Sequence, residues 1–350
     1  MRILIMILVL FASAGNSACS QDAPVPETLE RARQLIEAKE LDKANLLLSD
    51  LSQKYPQNET VLMELGKVQL AQGLNDDALK SFEAVLGVHA DSAPARDGEV
   101  KAAVAAALAD RTVGIDGSAL LYLIRARKFA PDSPELLFDF GVQAENMRIY
   151  RDADSALTKA HELAPEDAKI LYALARVQLD EQKMTEAEAN LRAYLAVRPN
   201  DATAHYGLGR LLHMLLRNDD ARAELEQSLI MQPRQSASYY ELGEIALEMH
   251  QTIEAKSDYE KVLELAPRHG GALTGMGILA FRAKDYAKAD DYLKSAVLYA
   301  SDYPRAHYYY AIVLARLGRQ DESKTEAELA TRLDEEQTKT SHGNFLTEIH

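Results

Sequence analysis

A small residue returns every 34 positions along most of this chain. Ala44, Ala78, Ala119, Ala153, Ala187, Ala221, Ala255, Ala289 and Ser323 are separated by 34 residues at every step except one, the 41 residues between Ala78 and Ala119. In phase with them run Ala32, Gly66, Ala107, Gly141, Ala175, Gly209, Gly243, Gly277 and Ala311, and prolines at 56, 131, 165, 199, 233 and 267. A period of this length means one supersecondary unit copied along the chain, each copy burying its apolar face against its neighbours.

One unit shows what is copied. In residues 202–235, His205, Leu208, Gly209 and Leu212 fall at i, i+3, i+4 and i+7, the stripe of a first helix, and Ala221, Leu225 and Ser228 fall at i, i+4 and i+7 of a second. Gly209 and Ala221 are small where two helix backbones approach. Asn218, Asp219 and Asp220 offer oxygens to the start of the second helix, and Pro233 cannot continue it. The neighbouring units repeat the plan with Leu242, Gly243, Ala255, Tyr259 and Pro267, and with Phe140, Gly141, Ala153, Leu157 and Pro165.

This pattern resembles the tetratricopeptide repeat, whose 34-residue unit carries a bulky residue, Leu-Gly, Ala, an aromatic or Leu, and a closing Pro. The resemblance implies an all-α right-handed superhelical solenoid of about nine helix hairpins. The expected array is 25–337, divided into 25–58, 59–92, an irregular 93–133, 134–167, 168–201, 202–235, 236–269, 270–303 and 304–337, with 338–350 a polar tail. The family's Trp is absent, and Leu62, Leu137, Leu171, His205, Tyr239, Leu273 and His307 stand in its place. His205 and His307 are therefore expected as packed core histidines. The third unit is seven residues too long. The Ala-rich Lys101–Ala109 followed by Asp110–Gly117 reads as a lengthened loop between its helices, with a hinge as the functional alternative.

The N-terminus carries a different signal. Met1-Arg2, the apolar run Ile3–Ala14 and the small-residue zone Gly15–Ala18 read as an export signal over 1–18. Twelve apolar residues fall short of the ~20 that span a bilayer. A cut before Cys19 resembles the bacterial lipobox, which implies lipidation of that cysteine, with 19–24 as a tether; Asn16 departs from the aliphatic residue usual there. The implied location is the cell envelope, on the periplasmic face of the outer membrane if the source is Gram-negative. With Cys19 a bystander, the chain would be secreted or periplasmic.

Composition narrows function by exclusion. Cys19 is the single cysteine, which removes internal disulfides, cysteine zinc fingers and CxxC redox chemistry. Lys and Arg total 39 against 54 Asp and Glu, a net charge of −15 that repels nucleic-acid phosphate. No HExxH, GxSxG, GxxxxGK[ST] or GxGxxG string occurs, so neither enzyme, metal nor cofactor is expected.

A binding surface is expected on the inner wall, which this family builds from its first helices. The residue after each bulky position reads Leu29, Met63, Val104, Phe138, Tyr172, Tyr206, Tyr240, Thr274 and Tyr308. Five of nine are aromatic, where the 7% aromatic composition would give about 0.6. Such rings suit anchoring of a protein or an extended peptide, and they would equally stack the sugars of an envelope polysaccharide. Arg176 and Arg210, one turn along, and Arg282 and Arg316, at the end of their helices, suggest a partly basic groove for an acidic peptide. The candidate groove is thus Phe138, Tyr172, Tyr206, Tyr240, Tyr308, Arg176, Arg210, Arg282 and Arg316. Lipoproteins of this repeat class that assist envelope assembly or secretion are similar in architecture.

Overall fold

The computed structural model describes residues 25–340, and among them every regular element is an α-helix, eighteen in all. α1 (Val25–Glu37) forms a hairpin with α2 (Leu41–Lys54) and α3 (Glu59–Ala71) with α4 (Asn75–Val88), and α5 (Ala93–Thr112) and α6 (Asp116–Arg127) follow in the chain. Then come α7 (Pro134–Asn146) with α8 (Tyr150–Leu163), α9 (Ala168–Asp180) with α10 (Met184–Val197), and α11 (Ala202–Met214) with α12 (Asn218–Met231). The last three pair α13 (Ser236–Glu248) with α14 (Thr252–Leu265), α15 (Gly270–Arg282) with α16 (Tyr286–Tyr299), and α17 (Pro304–Arg316) with α18 (Gln320–Thr340). The export signal, Cys19 and most of the polar tail lie outside the described residues. No described helix is long and apolar enough to cross a membrane.

The chain divides into two compact units, Met1–Ala109 and Asp110–His350. In the first, Phe82 of α4 is 1% exposed and lies where a Cβ on Gly66 or Gly98 would sit, 2.8 Å and 2.5 Å away. In the second, the same relation recurs at each hairpin with a glycine. A Cβ on Gly141 would meet Leu157, on Gly209 Leu225, on Gly243 Tyr259 and on Gly277 Leu293, all within 2.7 Å. The repeated alanines Ala44 through Ala289 are fully buried. Helix backbones thus approach at the small residues, and one large side chain on the second helix fills the seam.

Three-residue turns join the two helices of each hairpin, and all share one device. The middle residue is left-handed in every case, with φ between 59° and 81° at Lys39, Gly73, Gly114, Arg148, Gln182, Leu216, His250, Lys284 and Gly318. The next residue's N–H donates five residues back, as Glu40 does to Leu35 and Arg217 to Leu212, which satisfies carbonyls at the helix end. Between hairpins, Asn58, Ser133, Asp167, Asp201 and His269 accept a hydrogen bond from a first-turn N–H of the following helix.

The lengthened loop expected in the third unit is replaced by helix. Asp110–Thr112 continue α5, which has 20 residues where the other first helices have 13, and the turn Val113–Ile115 keeps the common length. Seven residues come within about 20° of two full turns, so the added stretch preserves the buried stripe. Ala95, Gly98, Glu99, Ala102, Ala103, Ala106 and Ala107 are all buried along it. The alanines of this run let the stripe extend.

His307 is 3% exposed, with Nδ1 2.5 Å from Glu326 and Nε2 3.0 Å from the Ser301 carbonyl; His205 repeats this with Glu224 at 2.6 Å and Pro199 at 3.0 Å. A packed histidine with both ring nitrogens used is what the register implied.

Two variants test the seam and the turn by melting temperature. Gly209→Leu places side-chain atoms against Leu225 and the Ala221 carbonyl, 3.1 Å from a Cβ, and is expected to cost about 1–3 kcal/mol or more. Leu216→Gly removes a left-handed leucine that is 79% exposed and should stabilise by about 0.5–1 kcal/mol, the relief exceeding glycine's entropic cost. Equal melting temperatures would mean the register is wrong.

Candidate functional site: the first-helix face of the second unit

Within the second unit, first helices touch first helices. α7 packs on α9, α11 on α13, α13 on α15 and α15 on α17, whereas second helices pack on first helices and not comparably on one another. The layer of first helices is therefore the inner side of the stack.

The five aromatic candidates do not form an exposed row. Tyr206 is 6% exposed and belongs to a buried cluster with Leu208, Leu211, Leu242 and Ile245. Tyr240 lies over Gly271, where a Cβ would come within 2.7 Å of its ring, and its centroid is 4.8 Å from that of His269. Tyr172 is half-buried, 5.1 Å from the Tyr194 ring, and burial pushes its hydroxyl pKa up. Phe138 is half-buried, and Tyr308 alone is open, at 56% exposure, edge-on to Tyr309 at 5.3 Å. The cause is the next hairpin. Leu29, Met63 and Thr274 at the same position are buried as well, and in the second unit α15 packs against the following first helix; α17 has no described first helix after it. The expectation that these rings line a wall is thus corrected for Tyr206, which is core.

The arginines are corrected in a similar way. Arg176 Nη2 lies 2.8 Å from Glu145 Oε1, and Arg210 Nε lies 3.8 Å from Glu241 Oε1. Glu241 also meets His213 Nδ1 at 2.9 Å, and His213 Nε2 reaches Glu248 at 3.3 Å; the hydrogen bond that the imidazole donates to Glu241 holds its pKa above the ordinary value. Farther along, Arg305 reaches from α17 to Glu244 on α13, and Tyr259 donates to the same carboxylate at 2.7 Å. The face from α7 to α13 is therefore charge-paired rather than basic. Arg282 Nη1 donates to the Leu247 carbonyl at 3.0 Å, and Arg316 is exposed; neither is paired with a carboxylate among the described residues.

Sequence reasoning passed over Glu145, Glu241, Glu244, His213 and Arg305. The readable signal was an offset of 31 residues, which separates both Glu145 from Arg176 and Arg210 from Glu241. Glu145 has a further property. Its side chain is 5% exposed, Oε2 has no hydrogen-bond partner, and burial pushes its pKa up to about 7, with Arg176 pulling down and Asp180 pushing up.

Two measurements follow. Tyr206→Ala should lower the melting temperature by the equivalent of about 3–5 kcal/mol, as for a large core side chain, while Tyr308→Ala leaves it nearly unchanged. A folded-state pKa above the unfolded value near 4.3 means that Glu145 costs stability as pH rises from about 4.5 to 7. Glu145→Gln should therefore narrow the difference in melting temperature between pH 5 and pH 8, and an unaltered difference would place the titration elsewhere.

Comparison with known proteins supports the fold directly. One model of the tetratricopeptide repeat matches residues 172–236 and 274–335, and a second matches 236–269. No curated protein sequence matches the chain. Among solved structures, PilF of Pseudomonas aeruginosa is 22% identical, with 57% of this chain and 91% of that chain covered at a TM-score of 0.50. Cut9 in its APC/C complex with Hcn1 is 15% identical, with 89% and 61% covered at 0.52. YrrB, a TPR protein with an unusual peptide-binding site, is 20% identical, with 53% and 95% covered at 0.45. At these identities PilF and Cut9 speak to fold alone, and together with the matched repeats they support a tetratricopeptide-repeat superhelical solenoid.

Proposed function

We propose that this chain is an exported scaffold, lipid-anchored at Cys19 in a bacterial envelope, that holds protein segments against the first-helix face of its second unit. The observation that carries the binding role is that this face ends in exposed groups, Tyr308 and Arg316, beside Arg282. The export and anchor reading rests on Met1–Cys19 as sequence. A polysaccharide track would need ring faces open at regular intervals, and the Tyr206 and Tyr240 rings are packed away. Five residues lie between Cys19 and the start of α1 at Val25, and the six steps they span limit the tether to about 21 Å. A lipid anchor would hold the first hairpin near the membrane surface.

Metabolic labelling with palmitate tests the anchor: wild type should take up label and partition into detergent, and Cys19→Ala should do neither. A photo-reactive phenylalanine analogue at Tyr308 should cross-link a discrete envelope protein, and the same analogue at exposed Glu226 should not. Equal cross-linking from the two positions would remove the binding role from this face.

A further inference from the structure

Charge is sorted along the first-helix face of the second unit. From α7 to α13 it carries Glu135, Asp139, Glu145, Asp180, Glu241, Glu244 and Glu248, with Lys169, Arg176, Arg210 and His213 among them. On α15 and α17 the same register holds Arg282, Arg305 and Arg316 and no acid, and Arg305 is committed to Glu244. The change of sign is sharpest in the row at the C-terminal ends of the first helices. It reads Asn146, Asp180, Met214, Glu248, Arg282, Arg316.

Arg282 and Arg316 occupy one register position in consecutive hairpins. Their helices pack against each other, and packed helix axes lie about 8–10 Å apart. That separation equals three residues of extended chain at about 3.3 Å each. Arg282 is held at one side by the Leu247 carbonyl, which fixes the guanidinium while leaving the residue exposed. One and two turns before Arg316 on the same helix face lie Ile312, half-buried, and Tyr308, exposed. Two cations at one register position on packed neighbouring helices, next to apolar surface, fit carboxylates with a nonpolar neighbour.

Resting on the scaffold reading above, we infer that the α15–α17 face anchors an extended protein segment bearing two carboxylates three residues apart, one at Arg282 and one at Arg316, with an adjacent apolar side chain on Ile312 and Tyr308. The acids of α7–α13 repel such a segment, so its acidic end is fixed at the last two hairpins. The rest of it continues along the paired charges toward α7. The anchor thereby sets the direction of the bound chain as well as its position.

Fluorescence anisotropy with the full chain and a tetramethylrhodamine-labelled decapeptide tests this. The probe carries Asp at two positions three apart in a Ser and Val background, and its counterparts carry Asn or Lys at those positions. Wild type should bind the Asp probe at least about tenfold more tightly than the Asn probe, and the Lys probe least, with the advantage shrinking as salt rises. Arg282→Gln/Arg316→Gln should abolish the advantage at unchanged melting temperature, while Arg176→Gln/Arg210→Gln keeps it. Equal binding of Asp and Asn probes to wild type, or an advantage that survives in Arg282→Gln/Arg316→Gln, would overturn the anchor. The scaffold reading fails separately, if cross-linking from Tyr308 captures nothing in the envelope while the Asp preference stands.

Discussion

Most of the array depends on one steric fit, a large side chain on the second helix set into a place where the first helix has no side chain beyond Cβ. Phe82, Leu157, Leu225, Tyr259 and Leu293 each occupy the volume that a Cβ on the facing glycine would claim. Because the fit needs both a small and a large partner, neither can drift in register. The left-handed turn follows from it. The chain must reverse within three residues to bring the two positions together, and the structure accepts a strained Leu216 or Gln182 in that turn rather than a longer loop. The same economy explains α5, where seven extra residues are absorbed as two helical turns and the following turn is left untouched.

This is why the fold was legible in the sequence. A solenoid solves one packing problem repeatedly, so the residues at the seam recur at 34 and stand out against positions free to vary. The third unit reads as a loop because Asp110–Gly117 is mostly polar and holds two glycines, the local signature of a loop. Helix length is decided by whether the buried stripe continues, and Ala102, Ala103, Ala106 and Ala107 carry it onward.

The binding face was legible in position but not in exposure. Which residues lie on the first-helix layer follows from the period alone. Whether such a residue faces solvent depends on what the next hairpin presents, a relation between units rather than within one. Tyr240 closes over Gly271 because that glycine leaves room, and Tyr206 sinks among Leu211, Leu242 and Ile245 for the same kind of reason. Charge behaves likewise. Arg176 looked free within its own unit and is paired from the hairpin before it, and Arg210 is paired from the hairpin after it.

An end effect accounts for part of what is exposed on α17, since no described first helix follows to cover Tyr308. It does not account for Arg282. That residue lies one hairpin earlier, with α17 packed against its helix, and it is still exposed. Its equivalents on the inner row, Asp180 and Glu248, interact with Arg176 and His213 of this chain, so cover and neutralisation were available at that position and are not used at Arg282. An arginine held by a backbone carbonyl keeps its full charge, whereas a carboxylate partner would have cancelled it. Opposite charge along one continuous face costs little in stability when each patch is solvated. What it produces is a field with a direction, and a field with a direction orients an extended ligand before any close contact forms.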